Sequence, residues 1–203
     1  MGKMNSINMG NTRMKTRKLT GLALLTAVVV VLQIICTFIH FGPFSITLAL
    51  APMIVGAAIY GLGSGALLGG VFGLVVLITG LMGLDGGTVN LLMGMNPIAT
   101  IAICILKGAA AGAVAGYVYK LLENKNQLVA VICAGIVCPI VNTGLFILGM
   151  LLFFNDTLVS WAGGSPLLSY IILVLCGLNF LVELGTNLVL STAITRIIRI
   201  AKK

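Results

Sequence analysis

Two charged side chains, Lys107 and Glu183, stand deep inside otherwise apolar sequence. Lys107 precedes Lys120 by 13 residues, and Glu183 precedes Arg196 by 13. At ~1.5 Å rise per residue each lies about 20 Å from the nearest basic cluster, within a hydrocarbon core roughly 30 Å thick. Asn142, 15 residues after Gln127, reaches a similar level. Polar neighbours accompany each at helical spacing: Asn96 and Thr100 share a face with Lys107, Asn179 and Asn187 share one with Glu183, and Thr143 follows Asn142. Ionisable and amide groups are costly in lipid, so these stripes face the interior and mark a site or a structural tie. One reading is a polar pocket opening outward. The other is a Lys107–Glu183 pair that neutralises itself and joins two helices; the two overlap, because a pair can line a pocket.

Residues for catalysis are scarce. The chain has a single histidine, His40, and no carboxylate pair at helical spacing, no His and Cys cluster and no glycine-rich phosphate loop with lysine. Ser64, in Gly63-Ser64-Gly65, reads as a tight turn without a base beside it. Trp161, the only tryptophan, suits either stacking on a ligand or a bilayer interface. The expectation is a binding or transport protein, not an enzyme, with neither metal nor cofactor. The five cysteines are odd in number and scattered, and read as small apolar packers.

The elements that carry these residues follow from composition. The 203 residues are 60% hydrophobic and 8% charged, with mean hydropathy +1.19, against about 25% charged in soluble domains. No charge occurs between Lys18 and Asp85. Six apolar segments are expected near 19–39, 46–62, 64–82, 97–119, 127–153 and 167–195, giving an all-α, polytopic membrane protein. Residues 1–18 form a basic tail and 19–203 a single six-helix membrane domain. Eleven of the twelve basic residues fall in three patches, Lys3 to Lys18, Lys120 with Lys125, and Arg196 to Lys203. Retention of Lys and Arg on the inner side then puts both termini and the Lys120–Lys125 connector in the cytoplasm. The loops at 40–45, 83–96 and 154–166 face outward and hold neither Lys nor Arg. The formal charge of +8 is explained by topology and anionic inner-leaflet lipid, without nucleic acid. The first apolar run is too long for a signal peptide and is read as a retained helix.

In lipid, helices adhere through close backbone approach at small residues. Gly61, Gly65, Gly69 and Gly73 form one row, and Gly108, Gly112 and Gly116 another; both read as internal packing faces. Ala23 and Ala27 make a smaller face on the first helix, suited to packing or to docking a partner helix.

The run from Phe41-Gly42-Pro43-Phe44-Ser45-Ile46 through Ala51-Pro52-Met53-Ile54-Val55-Gly56 to Gly61-Leu62-Gly63-Ser64-Gly65-Ala66, with Gly69-Gly70-Val71-Phe72-Gly73 after it, resembles the substrate-binding S components of energy-coupling factor (ECF) vitamin transporters. Chain length, Asn96-Pro97 at the start of the fourth helix and an A-x-x-x-A motif at Ala23 and Ala27 fit the same family. The resemblance implies a plasma-membrane protein of a prokaryote that binds a micronutrient, usually a B vitamin. The ligand would lie near the outer face among the fourth, fifth and sixth helices. Ala23 and Ala27 would meet a transmembrane coupling subunit, with two ATP-binding subunits driving uptake. The ligand residues expected on this basis are Asn96, Thr100, Lys107, Asn142, Asn179, Glu183 and Trp161. The aromatic loop of thiamin-binding members and the acidic segment of riboflavin-binding members are absent. A buried lysine flanked by amides suits a carboxylate-bearing polar ligand such as pantothenate; the residues leave a cobalamin or pyridoxine-like ligand open. A rival of another class is a free-standing secondary carrier in which Lys107 and Glu183 exchange a proton.

Overall fold

A chain in lipid must satisfy its backbone N–H and C=O groups internally, and a helix does so without a neighbour. The computed structural model describes the chain over residues 2–38, 40–41, 44–45 and 47–201, and its side chains over 15–38, 47–173, 177 and 180–201. Apart from a hairpin pairing β1 (His40–Phe41) with β2 (Phe44–Ser45), its regular elements are helices. Helix α1 runs Gly2–Thr37, so the basic tail continues the first apolar segment without a break. Then come α2 (Leu50–Tyr60), α3 (Leu62–Leu81), α4 (Thr88–Met95), α5 (Pro97–Leu122), α6 (Gln127–Phe153), α7 (Asn155–Ala162), α8 (Leu167–Tyr170) and α9 (Gly177–Ala201), the last preceded by a π-helical stretch, Ile171–Cys176.

Among the described residues five stretches are long and apolar enough to cross a membrane: Lys15–Thr37, Leu62–Leu81, Pro97–Leu122, Gln127–Phe153 and Phe180–Ala201. The expected second segment, 46–62, is shorter as a helix. α2 has 11 residues, about 16 Å at the helical rise, and Leu50 to Ala58 are all buried. Gly61, at φ 94, adopts a conformation L side chains avoid and stops the helix there. The Ser64 hydroxyl donates to the Tyr60 carbonyl at 3.2 Å, covering one of the orphan groups at that end. The turn therefore falls at Gly61, ahead of the Gly63-Ser64-Gly65 expected to form it.

Two segments expected as loops, 83–96 and 154–166, hold helices α4 and α7. Asp85 starts the first: its Oδ1 accepts from Gly87 N at 3.0 Å and its Oδ2 from Val89 N at 2.9 Å, while Val89 and Leu92 provide the buried side. Asn96 Oδ1 accepts from Ala99 N at 3.1 Å and Pro97 takes the first helical position of α5, a pairing suited to helix starts.

The glycine rows meet each other. Gly65 stands against Gly112, Gly69 against Gly108 and Gly73 against Cys104, an antiparallel register in which a Cβ on any of these three glycines would run into the partner's backbone. A different device joins α6 to α9. Pro139 lies inside α6 and has no N–H to give the carbonyl of Gly135, four residues back. The Asn187 amide of α9 donates to that carbonyl instead, at 3.2 Å.

Gly21 of α1 abuts Tyr60, Gly116 abuts Ala57, and Asn187 of α9 meets Gly135 of α6, so that Arg196, nine residues beyond Asn187, comes level with the start of α6, eight residues before Gly135. These contacts gather Lys15–Lys18, Lys120, Lys125, Arg196 and Arg199 at one end of the bundle. The larger apolar core, including Leu50, Met53, Leu68, Tyr119 and Ile198, fills that half. A second cluster of Leu92, Ala99, Ile103, Met150, Phe154 and Leu158 closes the opposite end.

Candidate functional site

Between these two clusters lies a cavity of about 110 Å³, room for several waters or part of a small solute. Helix α5 supplies Thr100, Ile103, Cys104 and Lys107, and α6 supplies Asn142, Thr143 and Phe146. Glu183 comes from α9, Gln33 from α1, Thr47 from the lead into α2, and Phe72 with Val76 from α3. The Asp85 loop and α4, through Thr88, Val89 and Leu92, cover it on the side away from the basic end.

The polar groups here are not matched to one another. Gln33 Oε1, Asn142 Oδ1 and Glu183 Oε2 are buried, on side chains only 2%, 6% and 5% exposed, and none has a hydrogen-bond partner. A buried polar atom left in this state costs about 1–3 kcal/mol, and the three residues that carry them, on three helices, all line this cavity. The Thr47 hydroxyl approaches the Glu183 carboxyl, leaving Oε2 unmet. Lys107 Nζ stands 4.9 Å from the centre of the Phe146 ring, a cation–π placement. Among the described residues no ion pair joins Lys107 to Glu183, so the two charges line the cavity without closing on each other. The site therefore presents one ammonium, the carboxyls of Asp85 and Glu183 and the amides of Gln33 and Asn142 in an apolar surround, a lining able to hold a polar solute by charge and hydrogen bonds.

Of the residues expected from sequence, Thr100, Lys107, Asn142 and Glu183 line this cavity. Thr100 donates its hydroxyl to Asn96 O at 2.8 Å, leaving its lone pairs available. Asn96 and Trp161 stand apart from it. The carbonyl of the Asn96 side chain is engaged in capping α5. Trp161 is half-buried against the cluster that contains Leu92 and Ile103, one layer behind the cavity wall. The side chain of Asn179 lies outside the described residues. Asn187, on the Glu183 face by spacing, is taken by Gly135. Ala23 and Ala27 are exposed on α1.

Gln33 was not among the expected residues, although a signal for it exists. It lies 15 residues after Lys18, the same count that places Asn142 above Gln127, so depth counting along the first segment finds it. Asp85 and Thr88 had no such signal, because their segment read as a loop. A larger groove of about 660 Å³ at the basic end, between α2 and α5 and including Tyr60, Tyr117 and Lys120, contains none of the unpartnered buried atoms identified among the described residues.

Residues 17–195 match the family described as the ECF transporter, substrate-specific component. The chain is also 30% identical over 184 residues to the pantothenic acid transporter PanT of Lactococcus lactis subsp. cremoris (strain MG1363), with 85% of this chain and 89% of that relative covered. The family consists of transporter components, and the apolar helices make this a multi-pass membrane protein. By the extent of the match, on an all-helical bundle with a polar cavity at its centre, the chain belongs to the substrate-specific components of ECF transporters.

Proposed function

We propose that this chain binds pantothenate in the Lys107 cavity and delivers it for ATP-driven uptake through a coupling transmembrane subunit and two ATP-binding subunits. The observation that carries the reading is the ammonium of Lys107 beside buried acceptors without partners, Asn142 and Glu183 among them. Pantothenate has one carboxylate, two hydroxyls and an amide N–H. Its carboxylate would gain from Lys107 in surroundings that exclude water, and its donors would occupy the unmet acceptors. A similar protein bears the name of a pantothenic acid transporter, which supports the same choice. The cavity has to widen to take the whole of pantothenate, and a corrin, several times larger, would unpack the helices around it, which argues against a cobalamin.

In this reading the membrane is the plasma membrane of a bacterium and the chain crosses it six times. The short α2 completes its crossing with the extended residues before it, and the basic end with both termini faces the cytoplasm. Ligand enters from outside, past α4 and α7. Ala23 and Ala27, exposed small residues on α1, form the surface that meets the coupling subunit. The chain itself hydrolyses nothing.

Titration calorimetry of the purified protein with pantothenate tests the assignment. Lys107→Met should weaken binding about 10- to 100-fold, the worth of a charge-assisted hydrogen bond, with ligand-free unfolding unchanged. Equal affinity in the two proteins would leave the lysine a structural role and remove the basis for a carboxylate ligand. Uptake by the chain alone, down an ion gradient and without ATP, would instead establish the secondary carrier.

A further inference from the structure

Gln33 is buried to 2% exposure, its Oε1 has no partner, and it faces the same cavity as Lys107, Asn142 and Glu183. It belongs to α1, a helix outside the wall that sequence assigned to the ligand. The side chain has no structural task that would explain its burial: the helix satisfies its own backbone, and nothing among the described residues claims the amide oxygen. An amide in an apolar span is retained at a cost unless something it meets repays it.

We infer that Gln33 takes a hydroxyl or amide hydrogen of the ligand, so that the first helix forms part of the binding site and determines specificity for a polyhydroxylated or amide-bearing acid. This rests on the pantothenate reading and extends it. The residues lining the cavity then include one unpartnered buried acceptor from each of α1, α6 and α9, as many as the two hydroxyls and one amide N–H of pantothenate. One consequence concerns coupling. Gln33 lies six residues beyond Ala27 on the same helix, facing inward where Ala27 faces outward, so an occupied site holds the helix that carries the proposed docking surface.

Calorimetry with four ligands tests the inference: pantothenate, its two monodeoxy analogues, each lacking one hydroxyl, and its N-methyl amide. Wild-type protein should bind pantothenate, and Gln33→Met should bind it about tenfold more weakly. For one analogue, the one without the donor that Gln33 reads, wild type and Gln33→Met should bind equally. A residue with only a packing role would weaken all four ligands alike, and that result overturns the inference, as does unchanged pantothenate affinity. Gln33→Asn, which keeps the amide but shortens its reach, supplies the same comparison if the methionine variant does not fold. Wild-type protein that binds no pantothenate overturns the functional reading and this inference together. Pantothenate binding that falls in Lys107→Met and is untouched in Gln33→Met overturns this inference alone.

Discussion

The half of the bundle toward the basic end and the half around the cavity are built from the same helices by opposite rules. In the first, α3 and α5 lie backbone against backbone through Gly65, Gly69, Gly108 and Gly112, and Leu50, Met53, Leu68 and Ile198 fill the remaining space. In the second, side chains capable of hydrogen bonds are buried and left without partners. α5 serves both, with Gly108 and Gly112 turned to α3 and Thr100 and Lys107 turned to the cavity. Groups left short of partners destabilise whatever holds them, so they persist only where the surrounding frame is well determined. The glycine seam supplies that frame, and the cavity supplies a demand that a ligand can meet.

The largest effect should come from breaking the frame. A Cβ at Gly69 runs into the backbone carbonyl of Gly108, whereas one at the adjacent Gly70 meets nothing within 4 Å. Gly69→Val should cost about 3 kcal/mol or more, at the upper end of overpacking penalties because the obstacle is backbone, while Gly70→Ala should be neutral or gain up to about 1 kcal/mol from helix propensity. Thermal unfolding of the ligand-free protein in detergent reads the difference. Equal midpoints for the two variants would mean that the seam is not what holds this half together.

The cavity half should respond with the other sign. Glu183→Met keeps the length of the side chain and removes an unmet buried oxygen at the expense of the Thr47 contact, so the ligand-free protein should become more stable by up to about 1 kcal/mol. Pantothenate affinity should fall about tenfold or more in the same variant. A rise in stability with a loss of binding is what a site built for its ligand predicts. If Glu183→Met unfolds earlier than wild type, the carboxyl is a structural partner, and the contrast between the two halves fails at this residue.

Much of this contrast was legible in the sequence, and its gaps have physical causes. The glycine rows announced the seam because spacing of four on a helix fixes a face whatever lies opposite. Lys107, Asn142 and Glu183 were found by depth, because few polar groups sit so far from the ends of apolar runs. Spacing alone misled at Asn96 and Asn187: it says which face a residue occupies but not whether the backbone nearby has first claim on it. Asn96 is claimed by the start of α5, and Asn187 by the carbonyl that Pro139 leaves bare. Glycine and polar residues interrupt the hydrophobic pattern of α4 and α7 and hide them, and apolar composition continues across the Gly61 stop, so composition alone makes α2 longer than it is.

The smallest effect is also the one that separates the two uses of a buried amide. Asn187 and Asn142 both sit in apolar spans, but Asn187 Nδ2 donates to Gly135 O while Asn142 Oδ1 has no partner. Asn187→Leu should therefore cost about 0.6–1.7 kcal/mol, the range for hydrogen bonds between membrane helices, and leave pantothenate affinity within about twofold because the group does not face the cavity. The cause of that cost can be removed separately. Pro139→Ala restores an N–H at position 139 that can bond Gly135 within α6, after which the carbonyl no longer depends on α9. In the Pro139→Ala background, Asn187→Leu should then cost less than half of what it costs alone, a coupling that a double-mutant cycle on unfolding midpoints measures directly. Additive costs would mean that Asn187 stabilises the α6–α9 contact through packing and not through the carbonyl that the proline exposes.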